Sequence, residues 1–164
     1  MRYGYEDLYF NLLVMRATGN IALNPQVCYR WTERYAHSTS RRFSTNRLDA
    51  IRMCLRLEDE VGRAYGIVRR NEAAWAAHLV DTHVIRMLQQ LTLPMCDLAM
   101  HERARQLEAL AREEALSSAL HAIRAGNRDI APKTRLVATL LGMGRYRLLI
   151  RLFALNVRRE GRVY

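Results

Sequence analysis

Apolar residues recur at helical spacing over most of this chain, and few helix-breaking residues interrupt them. After residue 46, leucine and isoleucine return every three or four positions, as at Leu48, Ile51 and Leu55. The 164 residues include only 8 Gly and 3 Pro, the residues least compatible with a helix interior. The pattern therefore predicts a mostly α fold, in which few residues remain that could form a β-sheet.

A few breakers divide this helical region into separate segments. Pro94, Gly126 and Gly142 are expected to end helices. Pro132 is expected to open one, because the first helical position does not need the backbone N–H that proline lacks. The breaks predict an all-helical body of about five helices between residues 46 and 164.

The N-terminal region has a different pattern. Glu6–Ala17 has the spacing of a helix, and its first turn is acidic, as the helix dipole favours. Short strands are expected at 21–23 and 26–31, on either side of an Asn-Pro turn. We therefore expect residues 1–45 to form a small α/β remnant, with one helix and two short strands, beside the helical body at 46–164.

An acidic pair near the start of the chain has neighbours at fixed spacing. Gly4 precedes the Glu6-Asp7 pair by two positions, and an aromatic residue follows the pair by three. A short strand then leads to Pro25, and a Tyr-Arg dipeptide precedes a Ser-x-Ser loop. With this arrangement, residues 3–42 resemble the last part of the catalytic domain of a family-2 glycosyltransferase, the inverting GT-A type.

The resemblance implies a role for the acidic pair. Inverting glycosyl transfer needs a carboxylate that takes the proton of the acceptor hydroxyl as it attacks the anomeric carbon. By resemblance, Asp7 would be this general base and Glu6 its supporting carboxylate. Residues 1–45 would be the C-terminal edge of a GT-A-like domain, and residues 46–164 a helical extension that ends in a basic amphipathic helix.

The same resemblance places the substrate-binding residues in the strand and loop that follow. The family has a loop near the donor diphosphate at this point, and aromatic side chains can stack on sugar rings. For His37, a phosphate or metal contact and a solvated loop position both remain open. For Tyr29 and Trp31, packing in a core is the alternative. The implied substrate-binding residues are Tyr29, Arg30, Trp31, His37, Ser38, Ser40 and Arg41.

One part of the family's machinery does not occur in this sequence. The Asp-x-Asp pair that holds the metal and the nucleotide in the family is absent from the chain, and the nucleotide pocket would precede residue 1. We therefore expect no cofactor in this chain, whereas a longer parent enzyme would use Mg²⁺ or Mn²⁺ with a nucleotide sugar. The chain by itself is expected to be inactive.

The C-terminal quarter is strongly basic and amphipathic. Residues 128–164 hold nine basic and two acidic residues, which is 9 − 2 = +7 of the net charge of +10. A helix over 145–159 would carry arginines on one stripe and a wide apolar face made of Tyr146, Leu149, Ile150, Phe153 and Val157. We expect it to lie on an anionic membrane, and a terminal bundle helix is the alternative. The expected membrane contacts are Arg147, Arg151, Phe153 and Arg158.

The cysteines indicate the compartment. Cys28, Cys54 and Cys96 are odd in number, widely spaced and without a Cys-x-x-Cys motif, which is typical of reduced thiols in a cytosolic protein. The first residues do not have the basic and apolar pattern of a secretory leader. We expect a cytoplasmic chain that is peripheral at the inner face of the membrane.

Two pairs of titratable residues in the helical region are expected to be ordinary surface groups. Glu58 and Asp59 are predicted to decorate a solvated helix face. His78 and His83 are five positions apart, which on an α-helix places them on different sides. We therefore expect no metal site.

Two classes of function follow from these observations. The first is a C-terminal fragment of a family-2 glycosyltransferase, whose parent would transfer a sugar from a nucleotide-sugar donor to a saccharide or lipid-linked acceptor in bacterial surface-polysaccharide synthesis. The alternative is a non-enzymatic basic helical module that binds a partner protein or nucleic acid. Nucleic acid is the less expected partner, because the arginines of the last helix border a wide apolar face instead of polar neighbours.

Overall fold

The computed structural model describes residues 6–18, 43–124 and 130–159. Within these ranges the regular structure is helical and contains no strand, so the prediction of a mostly α fold is confirmed. The two strands expected between residues 20 and 31 lie outside the described residues. So does the Ser-x-Ser loop that was expected to follow them.

The helices follow one another with short connections. Glu72 to Thr92 is one continuous helical segment with a π-helical turn in its middle. The helices are α1 (Glu6–Ala17), α2 (Thr45–Ala64), α3 (Ile67–Arg70), α4 (Glu72–Leu79), the π turn (Val80–Val84), α5 (Ile85–Thr92), α6 (Met100–Ala111), α7 (Glu114–Arg124), α8 (Pro132–Gly142) and α9 (Tyr146–Arg159). Pro132 stands in the first turn of α8, as the sequence predicts.

One hydrophobic core joins the helices from α2 to α9. Each of them except the four-residue α3 contributes at least one large side chain that is less than 2 % exposed. These side chains are Leu48, Ile51, Leu55, Leu79, Met87, Leu88, Leu91, Leu107, Leu110, Leu116, Leu141 and Ile150. Burying a side chain of this size contributes about 1.5–3 kcal/mol, so this core is the main reason that the helices form together.

Helix α1 packs on the second half of α2 through a small cluster of its own. Leu12 lies against Leu57 and Val61 of α2. The hydroxyl of Tyr65 donates a hydrogen bond of 2.7 Å to the backbone carbonyl of Met15 near the end of α1. The helix at the acidic pair is therefore attached to the helical body by apolar contact and by a hydrogen bond.

The connection between α5 and α6 is organised by one side chain. The guanidinium of Arg103 donates three hydrogen bonds to backbone carbonyls, to Leu98 at 2.7 Å, to Leu91 at 2.8 Å and to Cys96 at 2.7 Å. Carbonyls at the end of a helix lack partners within that helix. Arg103 therefore satisfies the last turn of α5 and the loop after it with a single group.

A tight turn joins α8 to α9. Gly144 has a φ of 68°, a left-handed conformation that glycine adopts without steric cost. The amides of Gly144 and Arg145 donate back to the carbonyls of Leu141 and Leu140, each at 2.9 Å, as at many helix ends. The turn brings the first residues of α9 beside α6.

Among the described residues, the longest apolar runs of the helices fall short of what a membrane crossing requires.

Candidate functional site

The inner face of α9 belongs to the protein core. Leu149 is 4 % exposed and Ile150 is 1 % exposed, and Tyr146 and Phe153 pack against the same core. The sequence predicted that this face, including Phe153, would enter a membrane. In the folded chain it is covered by α5, α6 and α8, because a bundle of this size needs the apolar side of its last helix. The bundle interpretation is therefore the correct one for this face.

A second apolar stripe remains on the outside of α9. Leu148, Leu152 and Leu155 are 46 %, 42 % and 56 % exposed. Residues i, i+4 and i+7 lie on one side of a helix, and successive residues are rotated by roughly 100°. These three leucines therefore form one line that points away from the core. We call this line the leucine ridge.

An open groove lies beside the ridge, between α6 and the start of α9. Its volume is about 520 Å³. Leu148 belongs to both the ridge and the groove, so the two features share an edge. The residues that line the groove are His101, Ala104, Arg105, Glu108, Gly144, Arg145, Tyr146, Arg147, Leu148 and Arg151.

The groove is cationic, and its cations have no ion-pair partner within the described part of the chain. Arg105, Arg145, Arg147 and Arg151 are all exposed. Among the residues that the structure describes, none of these four has a carboxylate within ion-pairing distance. The one acid in the lining, Glu108, accepts a hydrogen bond of 2.6 Å from a different arginine, Arg112. The groove therefore presents a net positive field to the solvent, of the kind that attracts anions.

Phe153 packs against the core, and the other sequence-predicted site residues fall into three groups. Arg147 and Arg151 line the groove. Asp7 lies in the first turn of α1 with its side chain exposed and does not line the groove, and Glu6 is the first residue of that helix. The predicted residues whose side chains lie outside the described part are Tyr29, Arg30, Trp31, His37, Ser38, Ser40, Arg41 and Arg158.

A polar cluster inside the helical body was not predicted. One carboxylate oxygen of Glu58 lies 2.7 Å from Nε2 of His78, and the other lies 2.7 Å from Nε2 of His83. The side chain of Glu58 is 13 % exposed and that of His83 is 0 % exposed. The prediction that Glu58 decorates a solvated face is therefore wrong.

The π turn explains why the two histidines meet. An α-helix places residues five apart on different sides, but a π-helix has i to i+5 hydrogen bonds and more residues in each turn. The turn over Val80–Val84 thus brings His83 back to the side of His78. The prediction that His78 and His83 lie on different sides of the helix is wrong, because it assumed an uninterrupted α-helix.

The cluster shifts the pKa values of Glu58 and His78. Burial by itself raises the pKa of the Glu58 carboxyl, but the hydrogen bonds from His78 and His83 and the attraction to both rings outweigh burial and lower that pKa to about 2. The hydrogen bond to Glu58 raises the pKa of His78. Within the described part of the chain, Nδ1 of His83 is buried and has no hydrogen-bond partner, whereas Nε2 lies 2.7 Å from Glu58, so we place a proton on Nε2 that is donated to the carboxylate.

The two cysteines among the described residues are poorly suited to nucleophilic catalysis or metal binding. Burial raises the pKa of the Cys54 thiol to about 11, and a thiol that is not ionised is a poor nucleophile and a poor metal ligand. Cys54 and Cys96 are both free. Within residues 6–18, 43–124 and 130–159, no three or more His, Cys, Asp or Glu side chains are grouped in a way that could hold a metal ion.

Comparisons with known proteins give no relative. The chain matches no family model, no curated protein and no solved structure. The functional argument therefore rests on the groove and the leucine ridge themselves.

Proposed function

We propose that this chain is a basic helical module that associates with an anionic membrane surface through the leucine ridge and the arginines beside it. The observation that carries the proposal is the exposure of Leu148, Leu152 and Leu155 in line on α9, next to exposed arginines without carboxylate partners among the described residues. Apolar side chains in a row with flanking cations are the pattern of helices that lie in the membrane interface.

The energetics favour a lipid surface as the occupant of the ridge. A leucine side chain that leaves water contributes about 1.5–3 kcal/mol when fully buried. Each arginine near an anionic leaflet adds about 1 kcal/mol. Arg147 and Arg151 are four positions apart on the same helix, so they repel each other weakly in water. Anionic headgroups relieve that repulsion. A polyanion without an apolar phase would leave the leucines in water.

We expect Leu152→Ser to weaken binding to anionic vesicles by about tenfold, because one leucine no longer leaves water. Co-sedimentation of the full chain with vesicles measures this. Ile67→Ser is the matched control, because Ile67 is 41 % exposed and Leu152 is 42 % exposed, and Ile67 lies on α3. Point substitutions are preferable to removal of α9, because removal would open the core.

Salt and competition separate this proposal from its rivals. Binding by the intact chain should fall as salt rises, because exposed charges are screened beyond about 8–10 Å at physiological ionic strength. Equal binding by Leu152→Ser and the unchanged chain would contradict the role of the ridge. If duplex DNA displaces the chain from vesicles and binds with comparable affinity, the chain is a nucleic-acid module instead.

As a second proposal, we infer descent of the N-terminal region from a family-2 glycosyltransferase. It is supported by the helix that starts at the Glu6-Asp7 pair and by the exposure of the Asp7 side chain, which a general base needs. In a longer parent enzyme, Asp7→Asn should lower turnover by roughly two to four orders of magnitude, since a general base contributes that much.

The isolated chain is expected to show no tight binding of UDP in the presence of Mn²⁺, because its sequence has no Asp-x-Asp pair to hold the metal. Isothermal titration calorimetry of the full chain measures this directly. The same titration into a general Mn²⁺–nucleotide binder serves as the positive control. Micromolar binding that requires Mn²⁺ would contradict the expectation and would locate a metal-dependent donor site within this chain.

A further inference from the structure

We propose that the groove between α6 and α9 is a binding site for a phosphate monoester. The proposal rests on the groove alone when the ligand is a small molecule. It also rests on the proposed membrane association when the phosphate belongs to a lipid headgroup. The two sources share one chemistry, a terminal phosphate on a small organic group.

The charge of the lining selects a doubly charged ligand. Four arginines line the groove, and Glu108 is the one acid in the lining. Arg105 comes from α6, Arg145 from the turn before α9, and Arg147 and Arg151 from the first half of α9. A phosphate monoester has three terminal oxygens and a charge near −2 at neutral pH. Arginine binds such groups with two parallel hydrogen bonds from its planar guanidinium. A phosphodiester carries less charge and offers fewer oxygens to the same side chains.

The size of the groove indicates a ligand larger than the phosphate group. A volume of about 520 Å³ lies within the range of roughly 300–1,000 Å³ for small-molecule sites. Tyr146 and Leu148 form part of the wall and give a less polar surface for the organic portion. The polar contacts available on the α6 side besides Arg105 are those of His101 and Glu108.

The position of the groove fits a headgroup as the phosphate source. Leu148 lies on the edge that the groove shares with the leucine ridge. When the ridge enters the boundary between headgroups and acyl chains, the arginines beside it stand at the level of the phosphates. A lipid with a terminal phosphate could then enter the groove from the membrane side.

The experiment uses the full chain, one groove variant and one matched control. Arg105→Gln removes a groove cation that is not on the ridge helix. Arg70→Gln removes an exposed arginine of α3 that has no carboxylate partner among the described residues. The first arm titrates glycerol 3-phosphate by calorimetry, with sodium sulfate as a second anion of equal charge. The second arm compares phosphatidylcholine vesicles that contain phosphatidate with vesicles that contain phosphatidylglycerol, matched for surface charge.

The two arms identify the source of the phosphate. The first arm supports a free ligand if glycerol 3-phosphate binds and if Arg105→Gln weakens this binding about tenfold. Tenfold is the effect of losing one charge-assisted contact. The second arm supports a lipid headgroup if the chain prefers phosphatidate vesicles, if Arg105→Gln abolishes this preference, and if Arg70→Gln retains it. The proposal is overturned if neither arm shows a phosphomonoester preference, if sulfate binds as well as glycerol 3-phosphate, or if the two arginine variants behave alike.

The outcomes also separate this site from the proposed function. Leu152→Ser should reduce vesicle binding and leave the titration of glycerol 3-phosphate unchanged. If the chain binds vesicles through the ridge while Arg105→Gln has no effect, the membrane function stands and the groove proposal fails. If glycerol 3-phosphate binds in the groove while vesicles of both compositions are ignored, the groove proposal stands and the membrane function fails.

Discussion

Replacement of Arg103 by methionine is expected to lower the free energy of unfolding by about 3–5 kcal/mol. Its guanidinium donates to the backbone carbonyls of Leu91, Cys96 and Leu98, and hydrogen bonds from a charged group contribute about 1.5–3 kcal/mol each. Methionine preserves much of the apolar stem but leaves all three carbonyls without this donor. The end of α5 and the loop to α6 would then lose their common anchor.

Urea and thermal unfolding of the full chain measure this effect. For a chain of this size, the loss corresponds to a fall of the melting temperature on the order of 10 °C. Arg103→Lys should recover only part of the loss, because an ammonium group lacks the planar fork that reaches several acceptors at once. Arg112→Met is the matched control, since the Arg112 side chain is 77 % exposed and, among the residues that the structure describes, forms its ion pair with Glu108 one turn earlier. A loss no greater than that of Arg112→Met would contradict the anchoring role.

The positions of most helices could be predicted from the sequence, because the information that sets them is local. Apolar spacing fixes where α2 and the segment through α5 run, and Pro132 fixes the start of α8. The break at Tyr65 and Gly66 was not predicted. Gly66 there has a φ of 69°. A glycine inside a helical pattern can either be tolerated within the helix or mark a turn, and the sequence pattern alone does not show which of the two occurs.

Which side of α9 faces inward could not be predicted. The helix has apolar residues at Leu149 and Ile150 and also at Leu148, Leu152 and Leu155. Periodicity alone assigns all of them to one broad apolar face. The packing of α5, α6 and α8 decides that the first pair is buried and that the other three form a ridge. The candidate site on this helix is therefore the exposed edge of that broad apolar face, and the part of the face that was expected to enter a membrane belongs to the core.

The polar cluster depends on contacts that sequence spacing does not contain. Glu58 meets His78 and His83 from a different helix, 20 and 25 positions away. Its side chain is 13 % exposed, and the indole of Trp75 on α4 lies close to Gly62 on α2. The π turn then sets the register of the two histidines. The sequence carries only a weak signal for a π turn inside an α-helix, because the formation of the π turn depends on how the whole segment packs.

Glu58→Gln is expected to destabilise the chain by about 2–3 kcal/mol near pH 6. The amide oxygen of glutamine can accept from one histidine, but its NH₂ group cannot accept from the other. His83 is fully buried, and a buried donor without a partner costs about 1–3 kcal/mol. Glu60→Gln is the matched control on the same helix, because the Glu60 side chain is 57 % exposed and its contact with Arg16 is 3.5 Å long. That control should change stability by less than about 0.5 kcal/mol.

The dependence of stability on pH distinguishes this cluster from an uncharged packing effect. The Glu58 carboxyl has a pKa of about 2 in the folded chain against an ordinary 4.5, so its contribution is present above about pH 4.5 and is lost as the pH falls toward 2. The hydrogen bond to Glu58 raises the pKa of His78 above 6.5, so that contribution is complete below pH 6.5 and is lost as the pH rises through the raised value. For this cluster, stability should therefore be highest between about pH 4.5 and 6.5. Urea unfolding measured from about pH 2 to well above pH 6.5 should show both slopes in the unchanged chain and in Glu60→Gln, and should lose the contribution of this cluster to both slopes in Glu58→Gln. If Glu58→Gln keeps the fall of stability on the alkaline side, the carboxylate of Glu58 does not hold the proton of His78.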